Sequence, residues 1–247
     1  MSEFFFAHHA ALLEQAKIRQ QQAAAQIAHM RLLEQIEPEY IKDSSILDYL
    51  KSAKGLQAFL THSRSRSVPN VLEIGSGTAT ALTQIAESQF GEGLSFIGTN
   101  LTHRPKPDTP QVVLRQTPAE VLDGFAPQSV GGILSIGAIA FSAAPELVID
   151  SIDRTLVKGA AIKATFRAKH SYGPEWDGKY DAWGYGPHDA FSKELRQRRF
   201  DVAIMETEVD DVLVAIKPGV RKIVTARELL EQDSQTLHDQ LDLLTTQ

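Results

Sequence analysis

Val71-Leu72-Glu73-Ile74-Gly75-Ser76-Gly77-Thr78-Ala79-Thr80 is the stretch that decides how the rest of the chain is read. Val71–Ile74 has the length and apolar texture of a buried strand, and helix-forming sequence resumes directly after the glycines. Glycines at alternate positions permit sharp turns and let a ligand approach the main chain closely. In open α/β sheets, ligands lie beyond the carboxyl ends of the strands, near the point where strand order reverses. A nicotinamide dinucleotide is one candidate occupant, but two features disfavour it. Thr80 breaks the Gly-x-Gly-x-x-Gly fingerprint, and Glu73 would repel a pyrophosphate. An acid at that position suits a ligand with a cationic amino group and no phosphate.

Working outward, the texture after Pro69 alternates between strand-length apolar runs and helical stretches. Val71–Ile74, Leu94–Gly98, Val112–Leu114, Gly131–Ile136 and Ala160–Phe166 read as strands, with helices at about 79–88 and 145–157. Strands separated by helices predict βαβ units and a parallel sheet covered on both faces. Asp201–Glu206 and Val212–Ile216 are joined too closely for a parallel crossover, so they predict an antiparallel pair. Upstream, residues 3 to about 36 lack Gly and Pro and carry an apolar stripe through Phe6, Leu13, Ala16, Ala23, Ile27 and Met30. This reads as a docked or dimerising helix that Pro38 ends. Ile46, Leu47, Leu50, Leu56, Phe59 and Leu60 mark further helix, and His62-Ser63-Arg64-Ser65-Arg66-Ser67 reads as a linker. Residues 225 to about 244 read as one last amphipathic helix. The division expected is a helical cap over 1–67, a ligand-binding α/β domain over 68–224 and a C-terminal helix over 225–247.

Composition narrows the function. The 247 residues carry a net charge of −6, which disfavours broad electrostatic capture of nucleic acid. With no cysteine, there are no disulfides, thiolate metal sites or thiol nucleophiles. No run of about 18 apolar residues predicts a membrane span. These features fit a cytoplasmic protein that needs no metal and acts on a small or neutral partner.

The residues quoted first resemble the opening motif of the class I S-adenosylmethionine-dependent methyltransferases almost position by position. The resemblance extends over about 70–216. Phe96-Ile97-Gly98-Thr99-Asn100-Leu101 is similar to that family's second-strand motif. Gln116-Thr117-Pro118-Ala119-Glu120-Val121-Leu122 resembles its adenine-flanking segment, and Arg154-Thr155-Leu156-Val157-Lys158-Gly159-Ala160 the turn into its fifth strand. The fold it implies is a Rossmann-like, seven-stranded, mostly parallel sheet with a closing antiparallel hairpin, binding S-adenosylmethionine. The resemblance places Glu73, Gly75, Ser76 and Gly77 along the methionine half of that cofactor. It sets Asn100 and Leu101 at the ribose, Ala119 and Glu120 beside the adenine, and Ile136 at the end of the fourth strand. The chain departs from the family's pattern at Asn100, where Asp or Glu is usual, and at Gly131, where Asp is frequent.

The acceptor region is expected in the long segment 170–188, which holds both tryptophans and three of the five tyrosines of the chain. A loop of that length and aromatic content reads as a wall or lid for a planar or apolar small molecule. His170 and His188 are its candidate bases, since an oxygen acceptor must lose its proton. Ser135-Ile136-Gly137-Ala138-Ile139-Ala140-Phe141 lacks the Asn/Asp-Pro-Pro-aromatic pattern of enzymes that methylate exocyclic amines. The sequence thus predicts methyl transfer to a small-molecule acceptor, the Phe4-Phe5-Phe6 cluster closing over the site and a homodimer through the N-terminal helix as further possibilities. The alternative is a cofactor-binding protein of the same fold that has lost catalysis and acts as a regulator or assembly partner.

Overall fold

The computed structural model describes residues 44–101, 109–142, 145–167, 187–219 and 224–245. The stripe over 3–36, the Phe4-Phe5-Phe6 cluster and the aromatic segment up to 186, His170 included, lie outside these residues. In chain order the elements are α1 (Ile46–Ser52), α2 (Gln57–Arg64), β1 (Asn70–Ile74), α3 (Thr80–Glu87), β2 (Ser95–Asn100), β3 (Val112–Gln116) and β4 (Val130–Ile136). There follow α4 (Pro145–Thr155), β5 (Leu156–Arg167), α5 (Pro187–Gln197), β6 (Asp201–Met205), β7 (Asp210–Ile216), α6 (Ala226–Gln235) and α7 (Leu237–Thr245).

The strands form one seven-stranded sheet in the order β3-β2-β1-β4-β5-β7-β6. β7 runs antiparallel to both β5 and β6, so the expected closing hairpin is present. The order reverses between β1 and β4, which sets the ligand crevice at their carboxyl ends.

Period-two alternation sorts the strand residues between two cores. Leu72 and Ile74 of β1 join Ile133, Ile162 and Leu213 under α4 and α5, where Phe166 and Phe191 meet at 5.6 Å between ring centroids. Val71 joins Leu134, Ala161 and Val214 on the other face, together with Leu50, Phe59, Leu82 and Leu230 from the helices. Residues 46–64, expected within a cap, therefore share the sheet's own core. The expected linker is also partly helix: α2 runs on to Arg64, with Ser63 fully buried and His62 bonding the Gly159 carbonyl at 2.9 Å. Gly132 makes room for this, since a Cβ there would stand 2.2 Å from Ser63 Oγ.

Two other boundaries differ from the sequence reading. β5 begins at Leu156, inside the stretch that reads as helix, because an irregularity lets Val130 pair with Leu156 and Gly132 with Ala161. The last helix is two helices, interrupted at Thr236. Beyond that break Gln240 is buried, and its side-chain oxygen accepts from Leu56 N–H at 2.9 Å and Gln57 N–H at 3.2 Å.

One buried charge pair ties these parts together. Lys163, at the centre of β5, donates to Asp233 Oδ2 of α6 at 2.7 Å and to the Gly55 carbonyl at 2.7 Å. Burial pulls its ammonium below the ordinary lysine value, against the pull of Asp233. Asp233 in turn accepts from Ala58 N–H at 2.6 Å and Phe59 N–H at 3.3 Å, capping α2, whose own N-cap Leu56 has no side chain able to do so. Removing one member of a buried, hydrogen-bonded pair strands the other charge, at a cost of about 3–5 kcal/mol. Lys163→Met is therefore expected to lower the free energy of unfolding by about that amount; a loss below about 1 kcal/mol in urea titration would show that the pair holds nothing together.

Candidate functional site

β1 ends in a loop built on unusual backbone. Gly75 and Gly77 have φ of +76° and +55°, and the N–H groups of Gly75 and Ser76 both donate to the Thr99 carbonyl of β2. A Cβ at Gly75 would lie 2.2 Å from Ala138 Cβ, so only glycine fits where the loop meets the turn after β4. Ala79 also takes a left-handed conformation, φ +61°, as the N-cap of α3. That conformation costs a non-glycine residue roughly 1–2 kcal/mol, offset in part by burial of its methyl group. The strained third position of the loop is thus Ala79, whereas the dinucleotide fingerprint directs the eye to Thr80.

Asn100 closes this loop from β2. Its Oδ1 accepts from Gly77 N–H at 2.9 Å, while Nδ2 donates to the Gly77 carbonyl at 3.0 Å and to Ser76 Oγ at 3.2 Å. Gly98, two residues earlier, leaves space for Ser76, whose Oγ would sit 2.4 Å from a Cβ there. Leu101 follows, half-buried, its carbonyl accepting from Gln116 Nε2. Ala119 and Glu120 are buried in the turn after β3, which starts with Thr117 N–H bonding the Asn100 carbonyl. Ser151 of α4 anchors that turn by donating to the Glu120 carbonyl at 2.7 Å. Ile136 is half-buried at the end of β4, and beside it Gly137, φ +68°, has no neighbour against its α-carbon among the described residues. Glu73, Gly75, Ser76, Gly77, Asn100, Leu101, Ala119, Glu120 and Ile136 thus all lie at or next to the carboxyl ends of β1 to β4. His188 falls at the second residue of α5; its side chain, like the whole of His170, lies outside what is described.

Glu73 is the electrostatic centre of this arrangement. Alternation along β1 turns it toward α1 and α3, and it is fully buried. Among the described residues neither carboxylate oxygen closes a hydrogen bond, although the buried Tyr49 hydroxyl of α1 faces them. Burial raises its pKa to about 7, against the pull of the Tyr49 hydroxyl. The Tyr49 phenol is itself pushed well above its ordinary value by burial, then by Glu73. Tyr49 belongs to no motif in the sequence, and its only local signal is that it lies three residues after the apolar Ile46, on the same helical stripe.

Gly131 has no part in this site. It lies at the start of β4, the opposite end of the strand, where a Cβ would be 1.9 Å from the Val68 carbonyl. The residue that departs from the family pattern there is fixed by close backbone approach.

No family model and no curated protein sequence matches the chain. Solved structures do. The carbon methyltransferase DszA matches with a TM-score of 0.51 at 18% identity, over 67% of this chain and 51% of that one, so the chain spans about half its length. A SAM-dependent methyltransferase from Aquifex aeolicus matches with a TM-score of 0.49 at 11% identity, over 68% of this chain and 92% of that one. One from Methanosarcina mazei matches with a TM-score of 0.48 at 14% identity, over 65% and 97% of the two chains. With the strand order and closing hairpin above, the fold is that of the class I S-adenosylmethionine-dependent methyltransferases. Among the described residues, no helix is long and apolar enough to cross a membrane.

A carboxyl whose pKa rises from 4.5 to about 7 on folding makes the folded state hold its proton longer than the unfolded chain. Stability contributed by Glu73 is then unaffected below the unfolded value, falls as pH rises through this window, and stays reduced above it. Glu73→Gln removes the titration. The variant's stability relative to the parent is expected to climb by up to about 3 kcal/mol between acid pH and about pH 8; parallel urea-derived profiles for the two proteins would refute the buried, uncompensated carboxylate.

Proposed function

We propose that this chain binds S-adenosylmethionine at the β1–β4 crevice and transfers its methyl group to a small-molecule acceptor. The observation that carries this reading is the buried carboxylate of Glu73, without a countercharge among the described residues, next to the glycine loop at the switch point. An anion in a low-dielectric setting attracts a cationic group strongly, and an arriving ammonium draws the proton off the carboxyl. A phosphate ligand would meet the opposite field. The space left at Gly137 by the described residues and the left-handed backbone at Gly75 and Gly77 fit close approach of such a ligand to the main chain.

When bound, the cofactor supplies an electrophilic methyl group on a sulfonium centre, and the protein's task is alignment. Gly75, Ser76 and Gly77 would bear on the methionine half through their backbone. Ala119 and Glu120 would flank the adenine, in a turn that Thr117, Ser151 and β3 already hold in shape. The aromatic segment 170–188 would wall the acceptor pocket, with His170 or His188 taking the acceptor's proton.

Calorimetry with S-adenosylhomocysteine tests the cofactor site. Micromolar binding by the parent is expected, weakened by about tenfold or more in Glu73→Gln through loss of a charged partner, and lost in Gly75→Val, whose branched side chain has no room beside Ala138. No binding to the parent at about millimolar ligand, some 4 kcal/mol of affinity, would overturn the reading. Turnover that persists unchanged in both His170→Ala and His188→Ala would remove the two histidines as bases. Binding without turnover on any acceptor would favour the cofactor-binding regulator.

A further inference from the structure

The side chain that ends β2 is used internally. Asn100 is 5% exposed, and its amide pairs with both main-chain groups of Gly77 while its second N–H goes to Ser76. The partners fix which end of the amide is oxygen, because Gly77 N–H can only donate and Gly77 C=O can only accept. A carboxylate at this position could accept from Gly77 N–H but would repel the Gly77 carbonyl and offer nothing to it. An amide is the group of this length that satisfies both at once.

We propose that Asn100 is a positioning residue for the glycine loop, and that the end of β2 offers the ribose hydroxyls of a nucleoside ligand no charged acceptor. The inference rests on the cofactor reading above and narrows it: the ligand's adenine and amino-acid ends carry recognition, and the ribose diol contributes little. The physical ground is competition for one side chain. A carboxylate at the end of β2 could accept from both hydroxyls, whereas both N–H groups of Asn100 are engaged and its oxygen, already accepting from Gly77 N–H, has one neutral lone pair left. The same bonds hold Gly77 at φ +55°, so the geometry of the loop depends on Asn100 before any ligand arrives.

Three measurements test it. The parent is expected to bind S-adenosylhomocysteine and its 2′-deoxyribose counterpart with affinities within about threefold, because no charge-assisted bond to the diol is lost. Asn100→Asp, which installs an acid, is expected to weaken S-adenosylhomocysteine about tenfold by repelling the Gly77 carbonyl; a ribose-binding role would instead make that variant bind more tightly. Asn100→Ala is expected to speed amide exchange at Gly77 by about tenfold or more in the absence of ligand. A parent that loses tenfold or more for the deoxy ligand, or tighter binding by Asn100→Asp, overturns the proposal. If the parent binds neither nucleoside, the cofactor reading fails by itself, and exchange at Gly77 still judges the loop: unchanged exchange in Asn100→Ala overturns the positioning role.

Discussion

The Lys163–Asp233 pair is the constraint on which the layer over one sheet face depends. Lys163 stands at the centre of β5, paired in register with Leu134 on one side and Val214 on the other, so its ammonium emerges in the middle of an apolar face. Charge there is tolerated because three structures converge on it: the turn at Gly55, the start of α2 and the helix α6. Gly55 fits so tightly that a Cβ would lie 2.4 Å from the Asp233 carbonyl. Segments separated by more than a hundred residues are thereby fixed in mutual register. A buried ion pair need not add net stability over an apolar replacement, but it penalises every arrangement that leaves either charge alone.

The same face carries a second buried charge, Glu73, and the two are treated in opposite ways. Lys163 is satisfied by a carboxylate and a carbonyl. Glu73 has, among the described residues, only the Tyr49 hydroxyl facing it, and responds to burial by holding its proton up to about pH 7. Folding alone offers no gain from such an arrangement. An acid without a countercharge among the described residues, beside a loop with left-handed backbone at the point where strand order reverses, is the feature on which the proposed ligand site rests. α1 belongs to this arrangement, since it brings Tyr49 to Glu73, bonds α3 through Ile46 N–H to Gln84 Oε1 at 2.8 Å, and reaches β7 through Ser52 and Asp210 at 2.6 Å.

The loop itself is organised by neighbours on β2. Thr99 receives the first two N–H groups of the loop, Asn100 pairs with Gly77, and Gly98 makes room for Ser76. Three consecutive residues of β2 thus shape a turn that belongs to β1. Across the switch point Thr165 of β5 accepts the Gly137 N–H at 2.9 Å, fixing the other lip of the crevice.

How much of this was legible in the sequence follows the range of the forces involved. Strand-length apolar runs, alternate glycines after β1 and the short link before β7 are local patterns, and they determined the fold class, the position of the loop and the closing hairpin. Strand order was not legible, since nothing local says which strand lies beside which. The tertiary structure alone decided that residues 46–64 complete the sheet's core, because their partners Val71, Leu134 and Ala161 are distant in sequence. It alone turned Asn100 inward to Gly77, set the left-handed strain on Ala79, and explained Gly131 by the carbonyl of Val68. A residue's type announces what bonds it can make. Which of them it makes depends on what the fold brings within about 3 Å, and that distance is set by the packing of the whole sheet.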